Sequence, residues 1–258
     1  MTLPANTLAG KRAVITGGGS GIGADMALAF AQAGAEVIIT GRREAALQAV
    51  AEHHHGINFA AVDVTNEAAM VALFEQLGSV DIVIANAGAA ESAPFAKTSF
   101  EQWQRMLNVN LSGVFLTLRE GLKQLNDGGR LIAVASTAGL KGYAYVGAYC
   151  AAKHGVVGLV RSLAAETATR NLTVNALCPG FTDTPLLATS VDNIVAKTGQ
   201  SAEQATAHFQ ATNPTGRLIT PAEVTATALW LCGPNSGAIN GQAISISGAK
   251  YDGWKGGE

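Results

Sequence analysis

The sequence predicts an α/β fold on a doubly wound parallel sheet of seven strands, with helices on both faces. Three observations predict it. Short β-branched apolar runs alternate with longer runs of helical period along the chain, an order that calls for parallel strands joined by right-handed crossovers. The strand runs are apolar at every position, as strands buried on both faces must be. No composition break, low-complexity linker or internal repeat divides the 258 residues, so one domain spanning 1–258 is expected.

The elements follow in order. Strands are expected over 12–16, 36–40, 58–62, 82–85, 130–135, 172–177 and 243–246, and helices over 22–33, 44–54, 66–77, 100–125, 149–169 and 221–231. Thr65 or Asn66 caps the third helix, with Glu67 in its first turn. Thr220 before Pro221 places a cap ahead of a proline at the first helical position. Between the sixth and seventh strands, 181–220 is long, polar and helix-prone. It reads as an insertion and, because it leaves the carboxyl end of a strand, as a substrate lid.

Composition narrows the function. Hydrophobic residues make up 48% and charged residues 14%, with 17 Lys and Arg against 19 Asp and Glu for a net charge of −2. There is ample core, lean surface charge of the kind subunit contacts cover, and no basic excess for nucleic acid or an anionic membrane. Residues 1–11 carry no export signal, and the longest apolar runs, such as 131–135, are far shorter than a membrane span. Cys150, Cys178 and Cys232 are widely spaced and match no zinc pattern, so buried thiols in the cytoplasm are expected. The Glu52-His53-His54-His55 tract reads as a solvated helix end, because adjacent histidines point different ways on a helix. No metal site is expected.

The chemistry begins at Thr16-Gly17-Gly18-Gly19-Ser20-Gly21-Ile22-Gly23, between the first strand and the first helix. Glycine permits a tight turn and close approach of the main chain to a pyrophosphate, and the helix N-terminus offers unpaired N–H groups to the anion. The spacing T-G-x-x-x-G-x-G differs from the usual dinucleotide fingerprint. Further along stand Asp63-Val64, Asn86-Ala87-Gly88, Asn110 in Asn-Val-Asn-Leu, Ser136, Tyr149-x-x-x-Lys153 and Pro179-Gly180-Phe181-x-x-Thr184. Taken singly, each has an ordinary structural role: a core tyrosine, an exposed lysine, a capping amide. Together and in this order they resemble the core, roughly 250-residue branch of the short-chain dehydrogenase/reductase family. Two departures are Ala135, where a first serine is frequent, and Gly248-Ala249, where a Gly-Gly pair is frequent.

The resemblance implies a Rossmann-type fold and interconversion of a ketone and a secondary alcohol with a nicotinamide cofactor. It implies Tyr149 as acid/base, supported by Lys153 and Ser136. Lys153 lies one helical turn after Tyr149, and its cation is expected to lower the phenol pKa. Ser136 is expected to donate to the substrate oxygen. By resemblance, Asn110 bends its helix and holds a water in a relay to Lys153, which also binds the nicotinamide ribose. Gly17, Gly19, Ser20, Gly21, Ile22 and Gly23 would cradle the pyrophosphate. Asp63 and Val64 would line the adenine, Asn86 and Gly88 would pass beside the adenosine ribose, Phe181 and Thr184 would hold the carboxamide, and Ala87, Pro179 and Gly180 would also bind the cofactor. The second strand ends at Gly41 without the carboxylate that would favour NAD, and Arg42 and Arg43 follow. NADP is expected, with NAD the alternative.

For the substrate, Ser136, Leu140, Tyr143, Tyr149, Leu186 and Leu187 are candidate contacts. Tyr143 and Tyr145 are equally readable as packing against a neighbouring subunit. The segment Asn213–Arg217 with Pro221–Glu223 resembles ketoacyl and polyketide reductases, so a 3-oxoacyl-type substrate is expected, with an apolar or aromatic ketone as rival. A dinucleotide-binding sensor without turnover is the alternative from another class. A homotetramer built on the helices around 100–125 and 149–169 and the last strand is expected by analogy.

Overall fold

The computed structural model describes residues 7–248. Residues 1–6 and 249–258, including the first part of the 1–11 segment and Ala249, lie outside the described residues.

β1 (Arg12–Thr16) pairs in parallel with β2 (Glu36–Gly41) on one side and β4 (Val80–Ala85) on the other. With β3 (Ile57–Ala61), β5 (Leu125–Val134), β6 (Leu172–Pro179) and β7 (Ala243–Ile246) they form one seven-stranded sheet, ordered β3-β2-β1-β4-β5-β6-β7. Strand order reverses between β1 and β4, which opens a crevice at their carboxyl ends.

Alternation along each strand sends neighbouring side chains to opposite faces. Val14, Val83, Leu131 and Ala133 pack with Phe74, Leu118 and Val156 from α3 (Glu67–Leu77), α5 (Gly113–Gln124) and α6 (Gly147–Glu166). Ile15, Ile39, Ile84 and Ile132 pack with Phe30, Leu47 and Leu231 from α1 (Gly21–Gln32), α2 (Glu44–Ala51) and α9 (Pro221–Cys232) on the other face. Each fully buried side chain of this size contributes about 1.5–3 kcal/mol, so the two layers hold the strand ends rigidly. Asn66 caps α3 by accepting from Ala69 N, and Thr220 with Glu223 forms a capping box on α9.

Several boundaries differ from expectation. The helix expected over 100–125 is α4 (Phe100–Leu107), one π-helical turn at Asn108–Ser112, and then α5. β5 begins five residues before its expected start at 130, because Val80 pairs with Leu125 before a register shift, despite the intervening Asn126-Asp127-Gly128-Gly129. α2 stops at Ala51, short of the expected 54, and the His53 ring returns to Ala49 O at 2.6 Å. The insertion holds α7 (Pro185–Thr198), capped by Thr184, and α8 (Ala202–Thr212), closed by a Ser201–Gln204 capping box. Among the described residues, no helix is long and apolar enough to cross a membrane.

Candidate active site

The glycine-rich turn leaves β1 at Thr16, and its tightness is visible atom by atom. Gly17 N and Gly18 N donate to Thr40 O at 2.7 and 3.1 Å, while Gly17 and Gly21 adopt φ of 70° and 54°. A Cβ on Gly23 would lie 2.3 Å from Gly17 O and 2.5 Å from Asn86 Nδ2, and one on Gly17 would lie 2.8 Å from Ala87 Cα. Only glycine fits. Gly19 sits more loosely, its would-be Cβ 3.3 Å from Ala46 Cβ, and Ile22 packs partly into the core. Ser20 precedes α1 in extended backbone without a side-chain cap bond, so the first amides of that helix stay open to an anion.

Thr16 ties this turn to the motif after β4. Its Oγ1 accepts from Asn86 N at 3.0 Å and Ala87 N at 3.1 Å. Asn86 Nδ2 donates to Thr16 O at 3.0 Å and Gly17 O at 3.3 Å, so this amide shapes the turn as well as bordering the crevice. At the end of β2, Arg43 reaches Ser20 Oγ at 3.5 Å. Burial raises the Asp63 pKa, but bonds from Thr65 and the nearby Arg42 charge outweigh it and hold the carboxyl below its usual range. Val64 is buried in the core, where a Cβ on Gly113 would meet it at 2.7 Å. A dinucleotide's pyrophosphate fits the glycine cradle, and the two arginines flank the end of β2 with no carboxylate at Gly41 to repel a phosphate.

Across the crevice stand Ser136, Tyr149, Lys153 and Asn110. Ser136 follows β5, and its Oγ caps a short 3-10 turn by accepting from Ala138 N at 3.1 Å. Lys153 is buried, donates to Val134 O at 2.8 Å, and holds its Nζ 5.6 Å from the Tyr149 ring centroid. Asn110, fully buried in the π turn, accepts from Ala89 N at 3.1 Å and donates to Ala89 O at 2.9 Å and Met106 O at 3.0 Å. A Cβ on Gly88 would meet Asn110 Oδ1 at 3.0 Å and Lys153 Nζ at 3.8 Å. That glycine therefore separates the two.

The electrostatics correct one expectation. Part of the Tyr149 surface is open, but its phenol lies in the electrostatic reach of Cys150 and Cys178 and shares a hydrogen bond with Ser136. Burial pushes that phenol up to about 12, and the Ser136 bond offsets only part of the rise. The expected lowering by Lys153 does not occur in the chain alone. Burial pushes Lys153 itself down to about 8, and its ammonium is spent on Val134 O. Desolvation outweighs the pairing that spacing implied.

The segment after β6 closes the crevice. Gly180 N donates to Ile246 O at 3.0 Å, continuing the pairing of Pro179 with Ile246. A Cβ on Gly21 would meet Thr184 Cγ2 at 3.2 Å, so the start of α7 abuts the phosphate turn. Asn213 emerges only from the structure as the clamp on this segment. It is 2% exposed, accepts from Phe181 N at 3.0 Å, and donates to Phe181 O and Arg217 O at 2.8 Å. Its place between a helical run and a Pro-Thr-Gly turn was the available signal, read there only as family likeness. Of the candidate substrate contacts, Tyr143 bonds Thr137 Oγ1 at 2.9 Å and Leu186 is 43% exposed. Leu187 is buried, and Leu140 packs on the core.

Comparison with known proteins agrees with this geometry. A family model described as enoyl-(acyl carrier protein) reductase matches residues 17–248. D-beta-hydroxybutyrate dehydrogenase of Cupriavidus necator is 36% identical, over 93% of this chain and 98% of its own length. The 3-oxoacyl-(acyl-carrier-protein) reductase of Vibrio cholerae is 34% identical, over 95% of this chain and 98% of its own. A crystal structure of a Phe-to-Trp variant of actinorhodin polyketide ketoreductase with NADPH superposes with a TM-score of 0.87 at 32% identity, covering 95% of this chain and 98% of that one. With a Rossmann-like sheet, a glycine cradle in T-G-x-x-x-G-x-G and a family match across nearly its whole length, the chain belongs to the short-chain dehydrogenase/reductase family.

Proposed function

We propose that this protein is an NADP(H)-dependent oxidoreductase that reduces a ketone to a secondary alcohol, with Tyr149 as the proton donor. The observation that carries this reading is geometric: the Tyr149 phenol shares a hydrogen bond with Ser136 and its ring lies 5.6 Å from the Nζ of buried Lys153, with burial helping to keep its proton on. A group that holds its proton across the neutral range suits an oxygen that gains negative charge. The cradle and Arg42–Arg43 support NADP, as does the NADPH-bound relative.

The residues divide the work. When bound, NADPH supplies the hydride. Ser136 donates to the substrate oxygen and stabilises the charge developing there. Tyr149 transfers its proton to that oxygen, and the Lys153 ammonium is the cation nearest the phenolate left behind. Asn110 holds the π turn against Ala89, and Gly88 lies between its amide oxygen and Lys153 Nζ. Residues 181–220 act as the lid over the substrate, within a single domain.

Exposed Phe100 and Phe115 on α4 and α5 and Trp230 on α9 support subunit burial, and a homotetramer is the assembly proposed. Three unpaired cysteines support a cytoplasmic setting. NADPH oxidation against a panel of ketones, followed by nicotinamide absorbance, tests the function. Ketone-dependent turnover is expected, and cofactor binding without turnover on any ketone refutes it.

A further inference from the structure

Three aromatic rings from three segments, Tyr143, Phe181 and Phe209, form a continuous row, anchored through Tyr143 to the turn that follows Ser136. Tyr143, on the loop before α6, bonds Thr137 Oγ1 at 2.9 Å, which fixes its ring one residue from Ser136. Its ring stands edge-on to Phe181, with centroids 5.6 Å apart and planes at 82°. Phe181 in turn lies 4.9 Å from Phe209 of α8, tilted by 44°. Each ring is partly exposed, so the cluster is a surface and not a sealed core.

The backbone beneath the cluster is immobilised. Asn213 holds both the N–H and the C=O of Phe181. Ile219 N donates to Phe181 O at 2.9 Å, and Thr182 bridges Ile219. Phe209 sits four residues before Asn213, so the clamp that fixes Phe181 also fixes the end of the helix carrying Phe209. A flat ligand meeting a preorganised aromatic surface gains ring–ring contact without ordering either partner, whereas a flexible acyl chain must give up rotamer freedom for less specific contact.

We propose that Tyr143, Phe181 and Phe209 form an aromatic wall of the substrate chamber, with Phe209 a specificity-determining residue that favours ketones bearing a planar ring beside the carbonyl. This rests on the ketone-reductase reading above and narrows its substrate class. The main competitor is a linear 3-oxoacyl thioester, which needs depth and polar contacts along its arm and gains little from tilted rings.

The test compares NADPH-dependent reduction of a bicyclic aryl ketone and of acetoacetyl-thioester by wild type, Phe209→Leu and Phe209→Tyr. Phe209→Leu keeps apolar bulk on the lid and removes the ring. It should lower kcat/KM for the aryl ketone about three- to tenfold, mainly through KM, and change the thioester value less than about twofold. Phe209→Tyr should retain most of the aryl-ketone activity, and NADPH affinity should be unchanged in both variants. Equal losses on both substrates would mean that Phe209 only seats the lid, and no loss on the aryl ketone would mean that its ring is not used. Either overturns the wall. Wild type that reduces the thioester alone also overturns it while leaving the reductase reading intact, whereas failure to reduce any ketone removes that reading itself.

Discussion

The glycine-rich turn, proposed to hold phosphate, and the proposed lid border one crevice and meet where Gly21 approaches Thr184, yet they are built by different rules. In the turn, a single added methyl at Gly17 or Gly23 would meet backbone or the Asn86 amide at 3.0 Å or less, and the strands on either side are buried on both faces. The two lid helices bury only Leu187, Val191 and Ala205; the lid's two ends are tied to each other through Asn213 and the Thr182–Ile219 bridge, and to the body at Arg217–Glu223. A rim with no spare volume admits one kind of occupant. A rim held at its ends can change its inner surface without disturbing the sheet. Cofactor chemistry therefore leaves a dense sequence signature, and substrate choice leaves a sparse one.

The sharpest challenge lies between the rims. Tyr149→Phe removes the proposed proton donor and almost no volume. Ketone turnover should fall about 10²–10⁴-fold, with NADPH affinity and melting temperature nearly unchanged. Undiminished turnover in the folded variant would defeat the mechanism.

Next comes a direct test of the contrast. Gly23→Ala must displace Gly17 O or the Asn86 amide, so NADPH affinity should drop at least about tenfold, with stability falling by about 1–3 kcal/mol from overpacking. Gly199→Ala, at the end of α7, has φ 71° and open space around the added methyl. It should lose only the left-handed backbone penalty of about 1–2 kcal/mol, leaving NADPH affinity unaltered. Titrating cofactor into both variants measures the difference, and equal affinities would show that the turn is less constrained than its geometry implies.

A smaller shift is expected at Gly41. A Cβ there meets only Leu47, at ordinary contact distances of 3.5 and 4.0 Å, so a side chain fits. Gly41→Asp restores the carboxylate that accepts from an adenosine 2′-hydroxyl and repels a 2′-phosphate. The ratio of kcat/KM for NADPH over NADH should fall by about tenfold or more, since one good charged contact is worth about 1.5–3 kcal/mol. An unchanged ratio would remove the missing carboxylate at position 41 as a basis for preferring NADP.

Most of the fold was legible in the sequence, because fully apolar strand runs and capped helices have local causes. Strand centres and helix starts were found to within a few residues. The misses are physical. The π turn at Asn108–Ser112 comes from one extra residue within a helical turn, which changes neither composition nor period enough to show, so only the family resemblance, with its bend at Asn110, pointed to it. The early start of β5 runs through Asn, Asp and Gly, residues depleted in strands, and pairing of Leu125 with Val80 and of Gly129 with Leu172 draws them into the sheet. In the site, glycine spacing and the Tyr149–Lys153 interval were readable. The upward shift of Tyr149 was not, because desolvation depends on what three-dimensional packing places around the phenol. Asn213 was missed because its main partner, Phe181, lies 32 residues away.

The smallest effect concerns the lid's carboxyl-terminal tie. Arg217 forms a bidentate pair with Glu223 at 2.7 and 2.8 Å, and Glu223 also accepts from Thr220 N in the α9 capping box. The Arg217 bond, followed by that of Thr220, lowers the Glu223 pKa to about 2 from its ordinary 4.5. A carboxyl depressed in the fold stabilises above its unfolded value, and that contribution is lost as pH falls from about 4.5 towards 2. Both side chains are substantially exposed, at 53% and 38%, so water screens the pair and the loss is smaller than the shift alone implies. Glu223→Gln keeps an oxygen that accepts from Thr220 N in the capping box and discards the charge. Its melting temperature should lie slightly below wild type near neutral pH and converge with it in acid, where Glu223 is protonated. Parallel melting curves across that range would show that the tie holds by capping alone, and the lid would then lack the charged anchor that distinguishes its carboxyl end from the uncharged phosphate turn.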